Sequence, residues 1–259
     1  YPGFILSIYE NGNESFFLNK GYNDIFKKIE YKKDSIFRIY SMTKPIVSTA
    51  AMQLIENKKL GLDDDVTKYI PEWDDAVFYK SNNKNVITIK DLFIHTSGLT
   101  YAFQGQSEVD KKYKVSGINS IVDSELSSQE IINELSNIPL EFSPGSFYNY
   151  SISIDILGFI IERISNKTLN EYLYENIFNI LGMNDTSFTL DTSKTERLAM
   201  CYRWDENKNK YEAHDLKTNP NIEVKSYLKK PSSYSGGAGL LSTMNDYQLF
   251  GSALLDAKK

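Results

Sequence analysis

Cysteine and histidine are scarce in this chain of 259 residues, which holds one cysteine, Cys201, and two histidines, His95 and His214. A single thiol cannot close an internal disulfide, and this leaves cytoplasmic and exported locations equally open. Cys201 lies in an apolar stretch with neither histidine near it in sequence, so it reads as a small hydrophobe and not as a nucleophile. Two distant histidines make no zinc site, and nothing in the chain implies a metal or a cofactor. No run approaches the ~18 consecutive apolar residues of a membrane-spanning helix. Charge of one sign is lacking too. The formal net charge is −5, and both signs are interspersed, as in Lys27, Lys28, Glu30, Lys32, Lys33 and Asp34. There is no basic stripe for nucleic acid and no basic amphipathic face for a membrane surface. Internal repeats and low-complexity tracts are absent as well.

What is present is enough to fold. Apolar residues make up 41% of the chain and aromatics 13%, ample for one large or two modest domains. The chain is organised around Phe37-Arg-Ile-Tyr-Ser41-Met-Thr-Lys44-Pro45, which leads into an apolar segment with Ile46, Val47, Ala50, Ala51, Met52, Leu54 and Ile55. Pro45 cannot sit deep inside a helix, because its ring collides with the carbonyl four residues back and it lacks an N–H. Ser41 therefore belongs at the mouth of a helix predicted to run from about 41 to 59, with Lys44 one turn on along the same face. A hydroxyl becomes a useful nucleophile only beside a proton acceptor, and a partly desolvated lysine can contribute to one. On the spacing alone, an N-cap serine followed by a solvated lysine is the favoured reading. The apolar surroundings favour a pair carried on a buried central helix.

Along the chain, Phe4–Tyr9 and Ser15–Leu18 read as a β-hairpin closed by Asn11-Gly12, and residues 22–35 as a charged surface loop. Leu62–Pro71 reads as a short helix capped by aspartate and ended by proline. Thr88-x-x-Asp91, Ser127-x-x-Glu130 and Thr168-x-x-Glu171 are capping boxes that open helices. The first would run to His95, which reads better as a histidine bonded near a helix C-terminus than as a catalytic base. Residues 101–126, polar and weakly patterned, read as a loop covering a cleft. A helix follows the aromatic turn Pro144–Ser151, with Ile154, Leu157, Ile161 and Ile164 on one face. Arg197–Trp204 and Tyr211 onward suggest a second hairpin, followed by a polar linker over 215–233. Gly236-Gly-Ala-Gly239 lacks the Gly-Lys-Ser/Thr continuation of a phosphate loop and reads as close backbone approach. Thr243-x-x-Asp246 caps a final helix carrying Tyr247, Phe250 and Leu254. The divisions are 1–62, the start of an α/β lobe with the central helix; 63–182, mostly helical; and 183–259, a return to the α/β lobe.

Five segments in order carry a resemblance: Phe37-Arg-Ile-x-Ser41-Met-Thr-Lys44-Pro45, Leu92-x-x-His95-Thr-Ser-Gly98-Leu99, Pro144-Gly-x-x-Tyr-x-Tyr150-Ser151, Leu181-Gly-Met183 and Gly236-Gly-Ala-Gly239-Leu240. The chain is similar to the serine β-lactamase-like superfamily, which includes class C β-lactamases, D-alanyl-D-alanine carboxypeptidases and family VIII carboxylesterases. The resemblance implies an α/β fold of β-lactamase/transpeptidase type, an antiparallel sheet flanked by helices with an inserted, mostly helical region. It implies Ser41 as nucleophile, Lys44 as its activating partner and Tyr150 as a second proton-transfer group. A tyrosine with pKa ~10 is no base in water, but beside an ammonium it can hold phenolate character or relay a proton.

Two departures shape the expected function. Where many relatives carry an asparagine two residues after the tyrosine, this chain has Ile152, which cannot bond a substrate amide. Tyr150-Ser-x-x-x-Asp155-x-Leu157-Gly158 resembles the family VIII carboxylesterases instead. The third superfamily motif, a Lys-Thr-Gly, His-x-Gly or Trp-Gly-Gly type segment, is not in the chain, and with it would go an oxyanion donor worth ~3 kcal/mol. The resemblance thus implies that the C-terminal strands are missing from this chain and that it is a piece of a longer enzyme, weakly active or poorly folded alone. The leading expectation is an acyl-enzyme-forming hydrolase of small esters. The alternatives are a β-lactamase or D-alanyl-D-alanine carboxypeptidase acting on a β-lactam-like substrate, and a catalytically impaired penicillin-binding-like scaffold.

Overall fold

A computed structural model describes residues 1–74, 76, 86–105, 107–122, 124–213 and 227–256. The chain divides into two compact units. One comprises Tyr1–Ile39, Ile177–Lys230 and Leu240–Lys259; the other comprises Tyr40–Asn176 and Pro231–Gly239.

The first unit opens with the expected hairpin. β1 (Gly3–Glu10) pairs antiparallel with β2 (Asn13–Asp24), and Asn11 and Gly12 supply the two positive φ angles, 51° and 80°, of a tight two-residue turn. The expected surface loop over 22–35 is partly sheet. β2 continues to Asp24 and is met by a short return strand, β3 (Ile29–Glu30). Asp24 makes that turn, its Oδ1 accepting from the Phe26 and Lys27 N–H groups at 2.9 Å each. β4 (Ile36–Arg38) runs antiparallel to a distant strand, Leu241–Thr243, and Arg38 donates to the Ala199 carbonyl at 2.9 Å. The second hairpin pairs β5 (Tyr202–Asp205) with β6 (Lys210–Ala213), so its first strand starts later than Arg197. Thr192–Arg197 is instead a 3-10 turn capped by Asp191. Half-buried Cys201 immediately precedes β5. Residues 214–226, most of the expected polar linker, lie outside the described residues. After β7 (Leu241–Thr243), Thr243 Oγ1 accepts from the Asp246 N–H at 3.2 Å at the start of the closing helix, Met244–Asp256.

The second unit is helical. α1 (Thr43–Glu56) stops before Lys58 because that residue takes the left-handed region, φ 57°. The Lys58 N–H bonds Ile55 O and the Lys59 N–H bonds Leu54 O, both at 2.9 Å, which makes a Schellman ending with lysine in the place glycine usually holds. The expected end near 59 was therefore late. Leu62–Pro71 narrows to a 3-10 turn, Val66–Lys68, capped by Asp65, and Pro71 opens a further turn, Pro71–Trp73. Three helices start on the capping boxes read from sequence: α2 (Ile89–Phe93) at Thr88, α4 (Ser128–Leu135) at Ser127 and α6 (Leu169–Leu173) at Thr168. The described residues of 101–126 hold more regular structure than a covering loop would. They form a 3-10 turn, Ala102–Gln104, and α3 (Glu108–Val115), whose Ser107/Asp110 box has the same form as the other three.

α5 (Ser153–Ser165) is the centre of this unit. Every residue from Ser153 to Ile161 is buried, and the helix packs against α1 and α2. Ile46, Val47, Ala50 and Ala51 of α1 and Ile156, Leu157, Ile160 and Ile161 of α5 are all sealed from solvent. Full burial of each large aliphatic side chain stabilises by about 1.5–3 kcal/mol. Two polar residues, Ser153 and Asp155, lie inside that apolar helix.

Candidate active site

The 3-10 turn Tyr40–Met42 delivers Ser41 to the start of α1. Pro45 is the third residue of the helix, where its missing N–H removes no helical bond. Tyr40 holds a positive φ of 42°, a conformation costing a side-chain-bearing residue on the order of 1–2 kcal/mol. Local strain of this kind accompanies functional turns. Ser41 is exposed and Lys44 is 8% exposed, so the pair spans the boundary between solvent and core.

The geometry joins the three residues singled out by the sequence. Ser41 Oγ lies 2.5 Å from the Tyr150 hydroxyl, and Lys44 Nζ lies 3.3 Å from Ser41 Oγ. The Lys44 ammonium sits 4.5 Å from the centre of the Tyr150 ring. Lys44 also donates to the Gly237 carbonyl at 2.7 Å and the Tyr101 hydroxyl at 3.2 Å. Three acceptors match the three N–H donors of an ammonium.

Tyr150 is held from several sides. Gln104 Nε2 donates to its carbonyl at 2.6 Å, and the neighbouring Asn149 bonds His95 O through its N–H and Leu99 O through its side chain. Its ring lies 4.9 Å from that of His95 and 5.5 Å from that of Tyr101. His95 is buried, and its Nδ1 accepts the Ser151 N–H at 3.2 Å, which leaves the ring proton on Nε2. Burial, aided by the positive charge of Lys44, lowers the pKa of His95 to about 4. Near neutral pH this is an uncharged platform behind the tyrosine, bonded in the turn after α2 as the sequence suggested.

Sequence reasoning missed Tyr101, the Gly237 carbonyl and Asp155 as members of this cluster. Asp155 Oδ1 accepts from Ser235 Oγ at 2.6 Å and from the Gly237 N–H at 2.9 Å, and Oδ2 lies 3.4 Å from the Tyr101 hydroxyl. Tyr101 fell in the stretch read as a loop, and no local pattern marks it. Asp155 did carry a signal, a carboxylate in an otherwise apolar helix. The glycine-rich segment makes the close approach expected of it, since a Cβ on Gly236 would lie 2.7 Å from the Ile154 carbonyl oxygen. Ile152 is 1% exposed and turns no amide toward the site.

A family model described as Beta-lactamase matches residues 1–259, and the chain belongs to that family. Its fold is of β-lactamase/transpeptidase type, as the motifs implied. Protein Rv1367c of Mycobacterium tuberculosis (strain ATCC 25618 / H37Rv) is 34% identical over 244 residues, covering 91% of this chain and 57% of that protein. Esterase EstB of Burkholderia gladioli is 31% identical over 235 residues, covering 83% of this chain and 56% of EstB. The chain thus spans a little over half the length of these two relatives. Among solved structures, EstCE1, described as a hydrolase with promiscuous acyltransferase activity, superposes with a TM-score of 0.81 at 27% identity, covering 95% of this chain and 65% of EstCE1.

Proposed function

We propose that this chain carries the nucleophile of a serine hydrolase that forms an acyl-enzyme on Ser41 and acts on small carboxylic esters. The observation that carries the reading is the contact of Ser41 Oγ with the Tyr150 hydroxyl at 2.5 Å beside the buried Lys44. The serine proton passes to Tyr150, with Lys44 beside it, while Oγ bonds the carbonyl carbon. Collapse of the tetrahedral adduct breaks the carbon–oxygen bond of the ester, and the leaving alkoxide takes that proton from Tyr150. Water then attacks the acyl group in the same way, releasing the acid and restoring the Ser41 hydroxyl. The Ser41 N–H serves as one oxyanion donor.

Support for ester substrates comes from Ile152, whose buried aliphatic side chain has nothing to bond an amide with. Similarity to EstB, named an esterase, and to EstCE1, described as a hydrolase, points the same way. Turnover of a short-chain p-nitrophenyl ester and of a chromogenic cephalosporin, by wild type and Ser41→Ala, tests the reading. Ester hydrolysis abolished in Ser41→Ala is expected. Cephalosporin turnover without ester hydrolysis would replace the ester reading with a β-lactamase, and a stable Ser41 adduct without turnover would replace it with an impaired, penicillin-binding-like protein.

A further inference from the structure

Among the buried ionisable groups that the mechanism above leaves unused, Asp155 lies against the site. Asp155 is 1% exposed in the most deeply packed helix of its unit. A carboxylate there is costly unless hydrogen bonds compensate it. Its compensation is specific: Ser235 Oγ and the Gly237 N–H bond one oxygen, and the Tyr101 hydroxyl lies against the other. Gly237 has no room for a side chain, because a Cβ would lie 2.3 Å from Asp155 Oδ2 and 2.9 Å from the Tyr101 oxygen. Glycine at 237 is what allows carboxylate, phenol and backbone to meet.

Asp155's partners are also Lys44's partners. Of the acceptors around the Lys44 ammonium, the Gly237 carbonyl belongs to the turn that Asp155 clamps, and the Tyr101 hydroxyl points at Asp155. The direction of the chain follows from its end members. Lysine can only donate and an ionised carboxylate can only accept, so Tyr101 accepts from Lys44 and turns its single O–H toward Asp155. Ser235 reinforces the turn by accepting the Ala238 N–H at 3.1 Å on its hydroxyl and the Gly239 N–H at 3.0 Å on its carbonyl. The titratable groups facing this network are Lys44 from α1, Tyr101 and Tyr150 from the loops before α5, and His95 from the turn after α2, whose ring lies against that of Tyr150.

We propose that Asp155 is the positioning residue of this site: through Tyr101 and the Ser235–Gly237 turn it holds the Lys44 ammonium against Ser41 and Tyr150. The inference rests on the reading of Ser41, Lys44 and Tyr150 given above. Burial pushes the Tyr101 phenol upward, which keeps it a neutral link between cation and carboxylate. Burial also raises Asp155, opposed by its bonds from Ser235 and Gly237 and by the charge of Lys44.

The test is the rate at which a fluorophosphonate labels Ser41, followed against pH in the full chain for wild type, Asp155→Asn, Tyr101→Phe, Ser235→Ala and the Asp155→Asn/Tyr101→Phe double variant. A fluorophosphonate needs only an activated serine, so the outcome does not depend on ester preference. Asp155→Asn is expected to label at least tenfold more slowly. Its pH profile should also differ from that of wild type, because the substitution removes an ionisable group from the network around the nucleophile. The double variant should be no slower than the slower single variant, since the Tyr101 route that Tyr101→Phe interrupts is already interrupted by Asp155→Asn. Ser235→Ala, a milder change that keeps the carboxylate but removes one of its donors and loosens the turn, should also slow labelling and carries the test if Asp155→Asn does not fold. Unchanged rate and profile in folded Asp155→Asn, or an unchanged rate in Ser235→Ala where Asp155→Asn is unfolded, overturn the proposal; so do losses that multiply in the double variant. Labelling of Ser41→Ala at the wild-type rate overturns the acyl-enzyme reading itself, whereas an unlabelled Ser41→Ala beside an unaffected Asp155→Asn overturns the role of Asp155 alone.

Discussion

Replacing Gly236 with alanine should damage both stability and reactivity. The added Cβ would lie 2.7 Å from the Ile154 carbonyl oxygen, 3.4 Å from Val47 Cγ1 and 3.5 Å from Gly158 Cα. The first contact is about 0.7 Å short of the 3.4 Å at which ordinary contact begins, and it is made with helix backbone that cannot rotate away. Forcing extra volume into a packed interior costs about 1–3 kcal/mol. At about 2–4 °C per kcal/mol for a chain of this size, the thermal midpoint should fall by about 2–12 °C. The same shift reaches the next residue, whose carbonyl accepts from Lys44 at 2.7 Å. A site loses its geometry over about 0.5 Å, and a 1 Å misplacement can cost about 100-fold, so labelling of Ser41 by a fluorophosphonate should slow about tenfold or more. Gly251→Ala is the control, because nothing lies within 4 Å of its added Cβ and it sits in the closing helix, where alanine is worth up to about 1 kcal/mol more than glycine. A Gly236→Ala variant that melts and labels like wild type would refute the reasoning.

Tyr150→Phe removes the hydroxyl 2.5 Å from Ser41 Oγ, and acylation should fall by about 100-fold or more with the thermal midpoint little changed. His95 is held neutral, its pKa lowered to about 4, so the unfolded chain takes up a proton between pH 6.5 and 4 that the folded chain refuses. Stability should therefore fall on acidification through that window, by up to about 3 kcal/mol, and His95→Asn, which keeps an acceptor for the Ser151 N–H, should flatten the slope of thermal midpoint against pH. The Glu72 carboxylate, lowered to about 2 by its paired bonds from Arg163, contributes stability above pH 4.5 that is lost as pH falls toward 2. Glu72→Gln should cost about 1 kcal/mol at pH 7, a figure reduced by the partial exposure of both side chains, and its denaturant midpoint should converge with that of wild type in acid.

How much could be read before the structure depended on whether the signal was local. Ser41 and Lys44 are three residues apart, and Pro45 alone ties them to a helix start. The boxes at Thr88, Ser127 and Thr168 each contain both halves of their own hydrogen bonding, so they needed no tertiary information. Ser107-x-x-Asp110 has the same form, but the helix it opens buries only Asp110 and Tyr113, and without an apolar stripe it read as loop. The end of α1 is set by Lys58 in a conformation that propensity assigns to glycine. Within the site, the contact of Lys44 with Gly237 spans 193 positions and that of Tyr101 with Asp155 spans 54. No periodicity reports such pairs. Tyr150 was reached through a family resemblance and not through its surroundings, since any of the 18 tyrosines could have packed as an ordinary aromatic.

The central claim is that Ser41 becomes covalently acylated. Intact-mass measurement of the full chain after rapid quenching with a short-chain p-nitrophenyl ester, followed by peptide mapping, tests it most directly. The account predicts one acyl group, on the peptide containing Ser41, that disappears as the ester is consumed and never forms on Ser41→Ala. Acylation at another residue, or ester hydrolysis undiminished in Ser41→Ala, would contradict it.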